Sequence, residues 1–237
     1  TLEAERQLDR LQEHFVANVS HELRSPLGFI KGYATTLLRQ DTDWDAKNRR
    51  EFLIIIDEET DRLTEIIDNM LDSSRLQAGT LPMEFQAVQL AAMLQDFAHR
   101  MQARELPIRI DTEIETSPNT VWADSARLAQ VFDNLVNNAA KYAPESVVTI
   151  KLTWQETHAH ISIQDHGPGI PDEHLDDIFK RFYRLPRHAE RASGSGLGLF
   201  ICREIIHAHR GEIFAESGIG EGAIFHVLLP RDRNSQL

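Results

Sequence analysis

Apolar residues recur at Val16, Val19, Leu23, Leu27, Ile30, Ala34 and Leu37, alternating three and four positions apart. At about 100° per residue they form one stripe roughly 80° wide, which predicts a long helix. The acidic run Asp41-Thr-Asp-Trp-Asp45 interrupts the pattern and can cap a second helix. The stripe of that helix is Phe52, Ile56, Leu63, Ile66, Ile67, Met70 and Leu71, with Gly79 as a C-terminal stop. Two antiparallel helices with such narrow stripes bury too little alone. The pattern therefore predicts dimerisation into a four-helix bundle, with a hairpin packed on the following domain as the alternative.

From about Phe85 the texture changes. Residues 90–105 read as a helix, 107–114 and 119–124 as strands, and 125–143 as a helix whose N-cap is Asp124 or Ser125. Residues 147–157 and 158–165 alternate like paired strands. A glycine-rich region follows, then a helix over 197–209 and strands over 211–217 and 222–230. Helices mixed with mostly antiparallel strands predict an α/β sandwich, a sheet covered on one face. The fold class is thus α plus α/β. Its expected domains are 1–80, a helical hairpin, and 85–231, with a boundary in the sequence QAGTLPMEF.

Composition narrows the function. Of 237 residues, 41% are hydrophobic and 26% charged, enough apolar material for real cores. No apolar run approaches the roughly 20 residues that span a bilayer, and no signal peptide opens the chain. The single cysteine, Cys202, rules out an internal disulfide and a cysteine-built metal site, fits a reducing cytoplasm, and reads as a small core residue. A net charge of −12 argues against a nucleic-acid or anionic-membrane surface, so an anionic ligand must be held by a local cluster of donors. The chain opens already helical, which reads as a fragment with an upstream part.

Four segments carry candidate chemistry. In HELRSP, His21 points roughly 160° from the first stripe and is expected to face outward, with Ser25 one turn later on the same face. An imidazole becomes a nucleophile through one nitrogen when a carboxylate takes the proton from the other, and Glu22 is adjacent. Pro26 removes a backbone donor and is expected to bend the helix near the histidine. In QVFDNLVNNAAKYAP, Leu128, Val131, Leu135, Ala139 and Tyr142 form the buried stripe, while Asn134, Asn138 and Lys141 share a separate face. Asparagine is a mediocre helix former, but carboxamide oxygens one turn apart can share Mg²⁺ beside phosphate, which Lys141 would meet. In DHGPGI, Asp165 at a strand end can accept from an exocyclic amine such as that of adenine, and Gly167 and Gly169 admit a flat ligand. In GSGLGL, glycines opening a helix let backbone N–H groups face phosphate; no Lys-Ser/Thr follows, so it is not a P-loop. Between the two glycine segments lies IFKRFYRLPRHAER. Its anchors are Phe179 and Phe182, and its cations are Lys180, Arg181, Arg184, Arg187 and Arg191, which together resemble a hinged lid over an anion.

The order of these pieces resembles the catalytic core of a two-component sensor histidine kinase. FVANVSHELRSPL looks like the H box, QVFDNLVNNAAKYAP the N box, DHGPGI the G1 box, IFKRFYR the F box and GSGLGL the G2 box. Each is soft alone; five in family order are specific. The resemblance implies a phosphotransfer hairpin that forms a homodimer, followed by a Bergerat-type ATP-binding domain. It implies that ATP phosphorylates His21 and that the phosphoryl group passes to an aspartate on a response regulator receiver domain. Carried onto this sequence, His21 is the acceptor and Glu22 takes its proton. Asn138, assisted by Asn134, ligates Mg²⁺. Lys141, Tyr142 and Arg184 line the nucleotide site, and Asp165 reads adenine. Gly167, Gly169, Gly194, Gly196, Leu197 and Gly198 shape the pocket and lid.

Ser25 stands where family members that also dephosphorylate their partner often carry threonine or asparagine; serine keeps the hydroxyl without the methyl that restricts its rotamer. Two rival classes share the nucleotide fold: ATPases driving conformational clamps, which need no H box, and non-enzymatic nucleotide-binding scaffolds, which would lack His21, an N-box asparagine or a glycine loop. No sensor domain is visible, so this portion is expected to be cytoplasmic, with a parent either membrane-anchored or soluble behind an upstream sensory domain.

Overall fold

The computed structural model describes residues 2–39, 41–77, 80–104, 106–117, 119–185 and 196–231, and of residues 2–18, 21, 65 and 77 the backbone alone. Gly79, Arg187, Arg191 and Gly194 therefore lie outside the described residues, as does the side chain of His21.

Helix α1, Leu2–Leu37, continues through Pro26, which is buried, and α2, Ala46–Gln77, returns beside it. The acidic break caps α2 as expected: the Asn48 N–H donates to Asp45 Oδ1 at 2.7 Å. Trp44 closes the hairpin, donating from Nε1 to the Thr36 carbonyl at 3.1 Å and setting its ring edge-on to Phe52. No helix among the described residues is long and apolar enough to cross a membrane. Within one chain the predicted stripes are only half covered. Leu27, Ile67 and Leu71 stay exposed, together with Leu53 and Ile54, which fall outside the predicted stripes.

The remainder is a five-stranded sheet with helices on one face. Strands β2 (Arg109–Ile114), β4 (Val147–Trp154), β5 (His158–Gln164), β6 (Glu212–Gly218) and β7 (Gly222–Pro230) are ordered β2-β4-β5-β7-β6. Only the β2–β4 pair is parallel. Alternation selects the inner face: Val148, Ile150, Leu152, Ala159, Ile161, Ile163, Val227 and Leu229 are buried there. Helices α3 (Leu90–Gln102), α4 (Ser125–Tyr142) and α5 (Gly198–Ala208) supply the other half of the core. Cys202, on α5, is fully buried, and burial pushes its thiol well above the usual range, so it is an inert core residue. The sequence reading missed one strand, β1 (Gln86–Val88), which pairs antiparallel with β3 (Val121–Ala123). Three residues show too little periodicity to be read locally.

Asp124 ties three segments together. Its Oδ1 accepts from the Arg127 N–H at 3.1 Å and so caps α4, while its Oδ2 accepts from the Glu84 N–H at 2.8 Å in the segment after the hairpin. Its own N–H donates to Nε2 of His209 at 2.9 Å, and Nδ1 of His209 faces the Ile205 carbonyl at 2.7 Å. An acceptor at Nε2 and a donor at Nδ1 describe a neutral imidazole, and burial lowers its pKa from the ordinary histidine value. Unfolded, His209 takes up a proton as pH falls through about 6.5; folded, it resists. Its share of stability is therefore complete above that pH and is lost below it. Urea midpoints should decline on acidification for the wild-type chain and less steeply for His209→Gln; parallel curves would refute this account.

The hairpin docks on the sandwich through the C-terminal part of α2. Asp72 Oδ2 accepts from Arg127 Nη1 at 2.6 Å and from Gln130 Nε2 at 3.0 Å, both on α4. Asp72 and Ser73 are buried there, α2 packs on α5, and Met70 and Leu76 rest against the sandwich core.

Candidate functional site

A cavity of about 340 Å³ opens between the hairpin and the sandwich, within the range that holds small-molecule ligands. Helix α4 supplies one wall. Its buried face carries Leu128, Val131, Leu135 and Ala139, plus Phe132, Val136 and Ala140. The adjoining face therefore turns Asn134, Asn138 and Lys141 into the cavity, with Asn137 and Tyr142 beside them. Tyr142, assigned to both the buried stripe and the site, is half-buried and lines the cavity.

Asp165 follows β5 and lines the cavity with only 9% of its surface exposed. Its Oδ1 accepts from the N–H groups of Gly167 at 2.8 Å and Ala223 at 3.3 Å. Both bonds fall on Oδ1, leaving Oδ2 for a ligand. Burial pushes the carboxyl pKa up, and the two N–H donors oppose that only in part. Ile170, Ile178 and Phe225 make the neighbouring wall apolar. Gly169 has φ of 74°, and a Cβ there would come within 2.0 Å of the Gly218 carbonyl oxygen, so only glycine fits.

The phenylalanine segment is tied to the second glycine segment. Phe179 is buried and meets Phe225 edge-on, while the Phe182 N–H donates to the Gly196 carbonyl at 2.9 Å. Gly196, at φ of 67°, sits so close that a Cβ would lie 2.7 Å from the carbonyl carbon of Phe182. The predicted basic cluster divides. Arg184 lines the cavity, but Lys180 pairs with Asp177 at 2.5 Å and Arg181 lies over the Phe182 ring at 4.5 Å.

Other sequence candidates separate in the same way. Gly169, Gly196 and Gly198 are on the cavity wall; Gly167 acts behind it by holding Asp165, and Leu197 is fully buried in the core. Glu22 reaches the wall, whereas Ser25 is exposed and does not. The lining residues that the sequence reading missed include Arg62, Ile66 and Asn69, at i, i+4 and i+7 on α2, of which Ile66 belongs to the predicted apolar stripe. Arg62 and Asn69 stand on a polar helix face, which is ordinarily solvated, and only docking reveals otherwise.

Charge concentrates at one end. Lys141 keeps contact with solvent, yet crowding by the walls lowers its pKa; Arg184 and Arg62 add to that and Glu22 opposes it. Burial raises the Tyr142 pKa, with Arg184 and Glu22 acting on it in opposite senses. The asparagine pair has the donor chemistry that a divalent ion takes. Amide oxygens are hard ligands, and Asn134 Oδ1 lies 3.0 Å from where a Gly198 Cβ would stand, against the start of α5. No cluster of three or more His, Cys, Asp or Glu suited to a metal occurs among the described residues, so phosphate and water would complete the coordination.

Residues 11–79 match the His Kinase A (phospho-acceptor) domain, and residues 123–233 match the histidine kinase-, DNA gyrase B-, and HSP90-like ATPase. The catalytic domain of the histidine kinase ThkA is 31% identical, covering 63% of this chain and 99% of that one, with a TM-score of 0.54. The chain belongs to the sensor histidine kinases. In this kinase core the phosphoacceptor match covers the hairpin from residue 11, and the ATPase match covers the sandwich from the end of β3 onward, including α4, α5 and the four strands β4 to β7. Sensor protein SrrB of Staphylococcus aureus is 34% identical over 96% of the kinase core, which spans 39% of the length of SrrB. The structure of ThkA in complex with the response regulator protein TrrA has a TM-score of 0.69 at 26% identity, covering 96% of this chain and 64% of that one.

Proposed function

We propose that this chain transfers the γ-phosphoryl group of ATP to His21 and then to an aspartate on a response regulator receiver domain. The observation that carries the reading is that Glu22, next to the acceptor histidine, shares one cavity with Asn138, Lys141 and Asp165. Asp165 takes the adenine amine. Asn138, with Asn134, holds Mg²⁺, and Lys141, Tyr142 and Arg184 meet the phosphates. The pocket is shaped by Gly169, Gly196 and Gly198 on its wall and by Gly167 behind Asp165. An imidazole nitrogen of His21 bonds to the γ-phosphorus while the bond from that phosphorus to the bridging oxygen breaks. ADP leaves, and Glu22 takes the proton from the other ring nitrogen. In the second step the N–P bond breaks as an aspartate oxygen bonds to phosphorus.

The hairpin over 1–80 and the ATP-binding domain over 85–231 act as separate units. The exposed apolar residues Leu27, Leu53, Ile54, Ile67 and Leu71 support a homodimer closed as a four-helix bundle. Ser25, exposed one turn after His21, would orient a water for phosphatase activity toward the regulator. The kinase core works in the cytoplasm under a sensory domain elsewhere in its parent.

Incubation with γ-labelled ATP and Mg²⁺ tests the reading. The expected label is protein-bound, acid-labile and base-stable, and passes to a receiver domain. Free phosphate alone would favour a clamp ATPase, and neither product would favour a scaffold.

A further inference from the structure

We propose that Arg62, supplied by the hairpin, is a ligand of the ATP γ-phosphate, so that the docked hairpin itself distinguishes ATP from ADP. The proposal rests on the nucleotide reading of the cavity. Arg62, Ile66 and Asn69 stand one above another on α2, and all three line the cavity. They are aimed there by the contact further along the same helix, where Asp72 binds Arg127 and Gln130 of α4.

The cavity has two chemically different ends. Arg62, Arg184 and Glu22 act on Lys141, whereas none of the three acts on Asp165. With adenine at Asp165, the triphosphate extends toward the cations. Three cations gather there with two carboxylates, Glu22 and Glu59, so cations outnumber carboxylates at that end. Lys141 and Arg184 belong to the ATP-binding domain and serve any nucleotide phosphate. Arg62 comes from the opposite wall, which also carries Glu22, and so stands on the side to which the terminal phosphate must travel. A guanidinium suits that place because its planar fork grips two phosphate oxygens at once. Arg62 lies 3.9 Å from Glu59 on its own helix, and its side chain remains 40% exposed. Engaging a phosphate therefore does not require breaking a tight buried pair with Glu59.

The test is titration of the whole chain with ADP and with a non-hydrolysable imidotriphosphate analogue of ATP, each with Mg²⁺. Wild type, Arg62→Gln and Arg62→Lys are compared, with melting temperature as the folding control. The expected result for Arg62→Gln is about a tenfold loss of affinity for the analogue with ADP affinity within about twofold of wild type. The rate of labelling by γ-labelled ATP should fall at least as far, and Arg62→Lys should recover part of both. Equal losses for both nucleotides, or unchanged affinities with slower labelling, would overturn the proposal, the latter by placing Arg62 in the service of Glu22. A wild-type chain that binds neither nucleotide would instead fail the nucleotide reading beneath it.

Discussion

The His21→Gln chain should bind ATP as tightly as wild type and retain none of its γ-phosphate. Glutamine is of similar length and keeps hydrogen-bonding capacity, but its amide nitrogen is not a nucleophile. Because Lys141, Asn138 and Asp165 line the cavity from the sandwich, nucleotide affinity should change little with the side chain at position 21. Glu22→Gln separates attack from proton removal. It should slow labelling by about 10² or more while leaving ATP affinity unchanged. Nucleotide titration beside a labelling time course decides the matter. Residual acid-labile label on His21→Gln would mean that another histidine is the acceptor.

Asp165→Asn should cost about a hundredfold in ATP affinity with little change in melting temperature. The amide keeps an oxygen for the Gly167 and Ala223 N–H groups, so the local backbone stays satisfied. It replaces the second carboxylate oxygen with an NH₂ group, setting donor against the donor of adenine. GTP, which presents a carbonyl at that position, should lose much less, so the preference for ATP over GTP should narrow. Asp165→Ala strips the two backbone donors of their acceptor as well and should also lower the melting temperature. Burial raises the Asp165 pKa, so acidification should weaken ATP binding at a pH above the ordinary aspartate range. Asp165→Asn binding ATP like wild type would remove the residue from adenine recognition.

The legible elements were those whose signal is local. The α4 stripe, the Asp124 cap and the alternation of β4 and β5 each sit within a few residues of one another, and each forms as the pattern predicts. The two glycine segments were legible too, because backbone approaches as close as those at Gly169 and Gly196 tolerate no side chain. Arg62 and Asn69 were not legible as cavity residues, and the basic lid segment looked more uniform than it is.

By itself, then, the sequence determined the types of the longer elements, the order of the five motifs and the chemical character of each candidate residue. These follow from helix and strand periodicity, capping and steric exclusion, which act over one or two turns of chain. The tertiary structure alone decided that Arg184 faces the cavity while Lys180 and Arg181 do not, and that Leu197 belongs to the core. It alone decided that α2 closes the cavity, through a contact between Asp72 and an arginine 55 positions later. Such contacts depend on where whole faces meet, and the periodicity of either helix is the same whether its polar face meets water or a partner.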